Sequence, residues 1–139
     1  MANKVRLEVI TPSKLFFRGD VEMVVIKTEI GEEGFMANHS YACKLLVPCE
    51  MKIKTGLGKD DYKHAAIADG FIDVKDSIII FTDAAEWPEE IDIERALNEK
   101  GKAEHWLQEQ TKNDDSEIAR AELAIAKSII RMNVKKSGY

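Results

Sequence analysis

Four cations, Arg120, Lys127, Arg131 and Lys135, recur at intervals of seven, four and four residues, so a helix turning 100° per residue sets them along one face. Such a stripe is either a solvated face whose charges complement a helix C-terminus, or a surface offered to an acidic partner or a phosphate. The other groupings of reactive residues are weaker. Gly56-Leu57-Gly58-Lys59 resembles part of a phosphate-binding loop, but Ile53 stands where the first glycine belongs and Asp60 replaces the metal-binding hydroxyl, so it reads as a turn. His39 and Cys43 would share a helix face, yet no second pair lies at metal-site spacing, and no metal is expected. His64 and His105 stand alone and read as surface or packing residues. The carboxylate pairs Glu32-Glu33 and Glu89-Glu90 fall in a turn and at a helix start, whereas acid/base catalysis needs a shielded pocket to shift their pKa values. No nucleophile is identified and no catalytic residue is assigned, although spacing alone leaves room for a hydrolase assembled from dispersed residues.

The elements that must position these residues divide at the stretch from Thr82 to Ala96. Before it, apolar residues alternate in short runs cut by turn residues; after it, they recur at helical spacing. Asp83 to Pro88 form the joint, because Pro88 disfavours helix at Trp87 and lacks the amide of a continuing strand. Two domains are therefore expected, over residues 1–88 and 89–139. In the first, Val5, Leu7 and Val9 alternate with charges, and Val21 to Thr28 is the most β-branched run. Arg18-Gly19-Asp20, Gly31 to Gly34 and Gly56 to Asp61 read as turns, and Asp69-Gly70 reads as a hairpin signal before Phe71 to Val74. Ile78 to Thr82 is the last strand. Many short strands without intervening helices predict an antiparallel sandwich or flattened barrel.

In the second domain, Glu89, Glu90 and Asp92 load negative charge onto the start of a helix opened by Ile91 to Ala96. Ala96, Leu97, Ala103 and Leu107 give it an apolar face, and Gly101 weakens its middle. Thr111 to Asp114 break it, and a second helix runs from Asp114-Asp115-Ser116 to about Val134. Ile118, Ala121, Ile125, Ile129 and Met132 make its apolar stripe. Leu123, Ile130 and Val134 lie off that stripe, so something besides the first helix must cover them. The fold class is α+β, an N-terminal antiparallel β-sandwich followed by a C-terminal antiparallel two-helix hairpin.

With 139 residues, the chain suits one domain or a small core with a helical appendage. A net charge of -5 provides no general footprint for nucleic acid. Lys4, Arg6 and Glu8 interrupt any signal-peptide core, no apolar run approaches membrane-spanning length, and an intracellular setting is expected. Cys43 and Cys49 are too few for a disulfide framework and read as buried small apolar residues.

The order and spacing of several short pieces add a resemblance. Leu7, Val9, Thr11 and Pro12 come first, then Leu15 and Phe16 with Gly19, then Gly31, Glu32, Gly34, Asn38 and His39. Gly70 to Val74, Thr82-Asp83 with Ala85-Glu86, Ile91-Asp92 with Arg95-Ala96, and Arg120 to Ala124 follow. Over nearly its whole length the chain resembles the epsilon subunit of F-type ATP synthase, the homologue of the mitochondrial delta subunit. The resemblance implies a noncatalytic central-stalk subunit that couples ion translocation to rotary ATP synthesis. Its sandwich would bind the gamma subunit and the membrane c-ring, peripheral to the cytoplasmic face of the cell membrane. A mobile two-helix domain would restrain ATP hydrolysis, with Arg120, Lys127, Arg131 and Lys135 facing the catalytic beta and alpha subunits in the inhibited state. Residue by residue it also implies a weak regulatory ATP site of Glu86, Asp92, Arg95, Ala96, Lys102, Lys127 and Arg131. Lys102 and Lys127 stand where strong binders carry Arg, and an ammonium lacks the two-pronged fit of guanidinium to phosphate. The loop Gly34 to Ala42 lacks the family's prolines, and Glu33 stands where Ile is common. A free-standing ATP-binding sensor is the alternative reading, and an unrelated sandwich enzyme the third.

Overall fold

The computed structural model describes residues 3–56, 58, 61–109 and 115–138. Ten strands occupy the N-terminal part: β1 Val5–Ile10, β2 Leu15–Val21, β3 Met23–Thr28, β4 Gly31–Met36, β5 Ala42–Leu46, β6 Cys49–Lys54, β7 Tyr62–Ile67, β8 Gly70–Val74, β9 Ile78–Thr82 and β10 Ala85–Glu86. A single 3-10 turn, Pro88–Glu90, leads to α1, Ile93–Glu109, and then to α2, Asp115–Gly138.

The strands form one folded-over sheet in the order β10-β7-β6-β3-β5-β8-β9-β1-β2, with β4 paired to β3. The fold-over lies between β3 and β5, which share only the Thr28–Leu46 pairing. The alternation in β1 buries Val5, Leu7 and Val9, while β3 buries Val24, Ile26 and Thr28. The apolar ones meet Phe35, Met51, Ile53, Ile72, Val74, Ile78 and Ile80 in one core, to which, among the described residues, none of α1 or α2 belongs. β1 pairs with β9 in parallel, the one departure from an antiparallel arrangement among the described strands.

Several expected turns are strand instead. Arg18-Gly19-Asp20 lies within β2, because the reversal occurs earlier: the Thr11 amide donates to the Lys14 carbonyl at 2.9 Å. Gly31 to Gly34 lies within β4, and the turn falls on Glu29 and Ile30, with Gly31 at φ 118 absorbing the reversal. Asp69-Gly70 closes no hairpin. β7 pairs with β6 and β10 whereas β8 pairs with β5 and β9, so this dipeptide carries the chain between layers. Gly70 is required by closeness, since a Cβ there would lie 1.9 Å from the Phe81 carbonyl oxygen. Cys43 is on β5 and exposed, so it is neither buried nor on a helix with His39, while Cys49 is buried. Part of the expected joint, Ala85-Glu86, adds to the edge of β7 as β10.

The first helix begins at Ile93 rather than Ile91. Asp92 caps it, its Oδ1 accepting the Arg95 amide at 3.1 Å. Ile91 instead packs with Ala66 and Val134 in a second small core, with Ile130 beside it. This core answers what covers the residues off the α2 stripe: for Ile130 and Val134 it is the sandwich. Ile129, on the expected stripe, is exposed, whereas Ser128 is buried and donates to the Ala124 carbonyl at 2.9 Å. The expected break at 111–114, with the cap candidate Asp114, lies outside the described residues, as do Leu57, Lys59 and Asp60.

Candidate functional site

The hairpin lies against the outer face of β7, and α2 occupies the wedge between α1 and the sandwich. Ala66 is small enough to let α2 approach, and its β10 neighbour in register is Glu86. This pairing aims the Glu86 carboxylate at α2. Arg131 Nε donates to Glu86 Oε1 at 2.6 Å and its Nη2 donates to Oε2 at 3.2 Å. From the same guanidinium, Nη1 reaches Glu99 Oε2 on α1 at 3.4 Å. One side chain, 14% exposed, therefore links β10, α1 and α2.

Two further cations complete the clasp. Lys127 Nζ lies 3.3 Å from Asp69 Oδ1 in the crossover between layers, and Lys135 Nζ donates to the Pro88 carbonyl at 3.0 Å. Three of the four cations of the stripe are thus bound within the chain rather than solvated. Arg120 is the exception: it is exposed and has no ion-pair partner among the described residues.

The residues implied for a nucleotide are only partly gathered. Glu86 and Arg131 meet directly, and Arg95 joins them through Glu99, which accepts from its Nε at 3.1 Å. Asp92 and Ala96 sit at the start of α1, where Asp92 caps and Ala96 is buried. Lys127 is taken by Asp69. Lys102 is exposed along a groove of about 430 Å³ between the helices, with Ala103, Trp106, Arg120, Ala121 and Ala124. A phosphate would have to displace Glu86, Glu99 and Asp69 from these cations. Asp69 and Glu99 are the residues that sequence reasoning missed. Glu99 carried a usable signal, its position four residues after Arg95 on one helix; Asp69 was masked by its glycine.

Other candidates resolve plainly. His64 Nδ1 is 3.6 Å from Glu50 Oε2, and His105 Nε2 is 3.2 Å from Glu109 Oε1 on the surface of α1. Among the described residues, no group of three or more potential ligands is placed to hold a metal. Glu33 is not in a turn: it lies on β4, where it accepts from Lys44 Nζ at 2.5 Å and from the Thr28 hydroxyl. Lys44, and then Thr28, hold its carboxyl below the usual range. No described helix is long and apolar enough to cross a membrane.

Residues 4–88 match the family profile of the ATP synthase delta/epsilon chain beta-sandwich domain, and residues 89–136 that of its long alpha-helix domain. The chain belongs to the ATP synthase delta/epsilon family. An ATP synthase epsilon chain from Alkaliphilus metalliredigens is 47% identical over 111 residues, covering 79% of this chain and 81% of its own. Another from Clostridium novyi is 38% identical over 135 residues, covering 96% and 99% respectively. The fold matches a chain of the Euglena gracilis mitochondrial ATP synthase with a TM-score of 0.75 at 24% identity, covering 98% of this chain and 82% of that one. A chain of the Tetrahymena thermophila mitochondrial ATP synthase central stalk and c-ring gives 0.69 at 16% identity, covering 96% and 97%. As an epsilon chain, the protein is a noncatalytic subunit of the ATP synthase, and its conspicuous geometry is accordingly an interface between its own domains.

Proposed function

We propose that this epsilon chain couples ion translocation to rotary ATP synthesis through its sandwich and restrains ATP hydrolysis through its hairpin. In this reading the sandwich anchors to the gamma subunit and the c-ring, at the cytoplasmic face of the membrane and without entering it. The observation that carries the proposal is the clasp. The described residues of the hairpin add nothing to the sandwich core, and it is held by Arg131, Lys127 and Lys135 beside a small second core. Such contacts can open without unfolding the anchor. Once open, α2 would present its cations to acidic surfaces of the catalytic beta and alpha subunits and its uncovered apolar residues to gamma. A difference of only a few kcal/mol between the two states lets a ligand or the rotor's position shift the balance.

ATP would act as a weak regulatory ligand at Glu86, Asp92, Arg95, Ala96, Lys102, Lys127 and Arg131, competing with carboxylates already on these cations. That competition argues against the free-standing sensor.

The test is ATP hydrolysis by a complex reconstituted with its matched catalytic subunits. Removing residues 89–139 should raise hydrolysis and leave synthesis largely coupled. Glu86→Gln, which loosens the clasp and leaves every α2 cation in place, should deepen inhibition. If the complex carrying the truncated chain hydrolyses ATP no faster than the complex carrying the full chain, the helices are an assembly element and the inhibitory reading is wrong.

A further inference from the structure

The segment that joins the sandwich to the hairpin is fastened to the sandwich almost to its end. Ala85 and Glu86 pair with Ile67 and Ala66 of β7, and Ala85 belongs to the sandwich core. The Trp87 ring then stacks on Phe16 of β2 with centroids 4.4 Å apart, meets Phe17 edge-on at 6.3 Å, and lies 5.8 Å from Lys63 Nζ of β7. One side chain thus bridges strands of both layers. Pro88 is buried, and the 3-10 turn is closed twice: the Glu90 amide donates to the Trp87 carbonyl at 2.9 Å, and the Trp87 amide donates to Glu90 Oε1 at 2.9 Å. Lys14 Nζ, at the reversal between β1 and β2, lies 3.7 Å from Glu90 Oε2.

Ile91 makes the last bond of this unit. Its amide donates to the Pro88 carbonyl at 3.2 Å, and its side chain lies with Ala66 in the second core. The next residue already belongs to the helix, since Asp92 Oδ1 accepts the Arg95 amide at 3.1 Å and its carbonyl accepts the Ala96 amide at 3.0 Å. Between these two hydrogen-bonded units lie the ψ of Ile91, extended at 127°, and the φ of Asp92. The charged contacts span this point: Glu86 and the Pro88 carbonyl are on the sandwich side, and Arg131 and Lys135 are on the hairpin. The Pro88 carbonyl, with two lone pairs, serves both the Ile91 amide and Lys135.

We propose that the hairpin opens as a body about the Ile91–Asp92 junction, while Trp87 pins the turn Pro88–Glu90 to the sandwich as a fixed receptor. The inference rests on the reading that the hairpin opens. A change in two torsions at the end of a helix is enough to swing a packed body. Glu86 stays paired on β7 and the Pro88 carbonyl stays bonded to Ile91, so both acceptors keep their places in the open state. Return of α2 then orders no part of the receptor, and the entropy of docking falls on the hairpin alone.

The experiment uses the full chain, spin-labelled on exposed Cys43 and on Asn133→Cys with buried Cys49 left unlabelled, and reads the distance distribution between β5 and α2. Val134→Asp puts a carboxylate into the second core and should create a population at longer distance. Should it unfold the sandwich, which strand-amide protection reports, Arg131→Met takes its place. In the opened background, Asp92→Pro keeps Ile91 extended and fixes the following φ, whereas Asp92→Ala loses the same cap and leaves both torsions free. The proline chain should therefore show a long-distance population severalfold smaller than the alanine chain. Trp87 and Trp106 are the two tryptophans. In a Trp106→Phe chain the opening substitution should leave the emission maximum and acrylamide quenching of Trp87 unchanged. A long-distance population as large in Asp92→Pro as in Asp92→Ala, or a red-shifted and more readily quenched Trp87 on opening, puts the pivot elsewhere and overturns the inference. Absence of any long-distance population in both opening variants, with the strands still protected, defeats the opening reading itself.

Discussion

Replacing Arg131 with Met keeps an unbranched apolar stem and deletes the charge that ties three elements together. The guanidinium is largely buried, with contacts of 2.6 and 3.2 Å to Glu86 and a longer one of 3.4 Å to Glu99. Hydrogen bonds to charged groups contribute about 1.5–3 kcal/mol, and the partial exposure of both carboxylates places this set toward the lower end. Loss of the Arg131 contacts should therefore cost hairpin docking about 2 kcal/mol, or roughly thirtyfold in the opening equilibrium at about 1.4 kcal/mol per factor of ten. Native-state hydrogen exchange on the full chain reads this directly. Amides of α2 from Ala121 to Lys135 should exchange about thirtyfold faster in Arg131→Met, through a local opening. Amides of Val24, Ile53 and Ile80 should keep their rates, because the sandwich core includes no described helix residue. Adding Glu86→Gln to Arg131→Met should cost less than Glu86→Gln alone, the signature of a shared interaction. If α2 exchanges at the wild-type rate in Arg131→Met, or the strands accelerate in step with it, Arg131 does not hold the hairpin.

A chain ending at Pro88 should retain the β-rich circular dichroism and the gamma binding of the intact protein; loss of either would show that the sandwich depends on its helices. Gly101→Ala should stabilise α1 by about 1 kcal/mol, since a methyl group there meets open space, and a raised helical melting temperature would register it. Iodoacetamide at mildly alkaline pH should label exposed Cys43 well before Cys49 in peptide mapping, because burial pushes the Cys49 thiol up to about 11. Glu33 titrates below its ordinary 4.5 when folded, so its stabilisation is complete above that value and disappears as pH falls through the lowered one. The gap in urea midpoint between wild type and Glu33→Gln should accordingly close on acidification and stay constant near neutrality.

What the sequence made legible follows the strength of local patterning. Period-two alternation placed β1, and the β-branched run placed β3, because each has one face that must be buried. Three turn readings failed where glycine served another purpose: Gly19 lies inside a strand, Gly31 absorbs a reversal already made, and Gly70 permits a close crossing. The two-layer order, with β7 and β8 in different layers, depends on pairings remote in sequence and has no local signature. In the helical part, Leu123, Ile130 and Val134 signalled a second contact, and the sandwich supplies it for the last two. The cationic stripe was visible from spacing alone. Its destination was not, because Glu86, Glu99 and Asp69 come from three separate elements and meet it only after folding.

The residues that α1 buries are Ala96 and Ala103, and where α2 faces it the buried ones are Ala121 and Ser128. Side chains this short raise almost no ridges at those points and let the two backbones approach closely, while half-buried Trp106 fills the groove beside them. Displacing α2 along its axis by one helical turn, about 5.4 Å, would therefore meet little resistance at the alanines, but it would pull fully buried Val134 out of its place against Ala66 and Ile91. The position of α2 along the sandwich is set by that one apolar anchor together with the charged pin of Arg131.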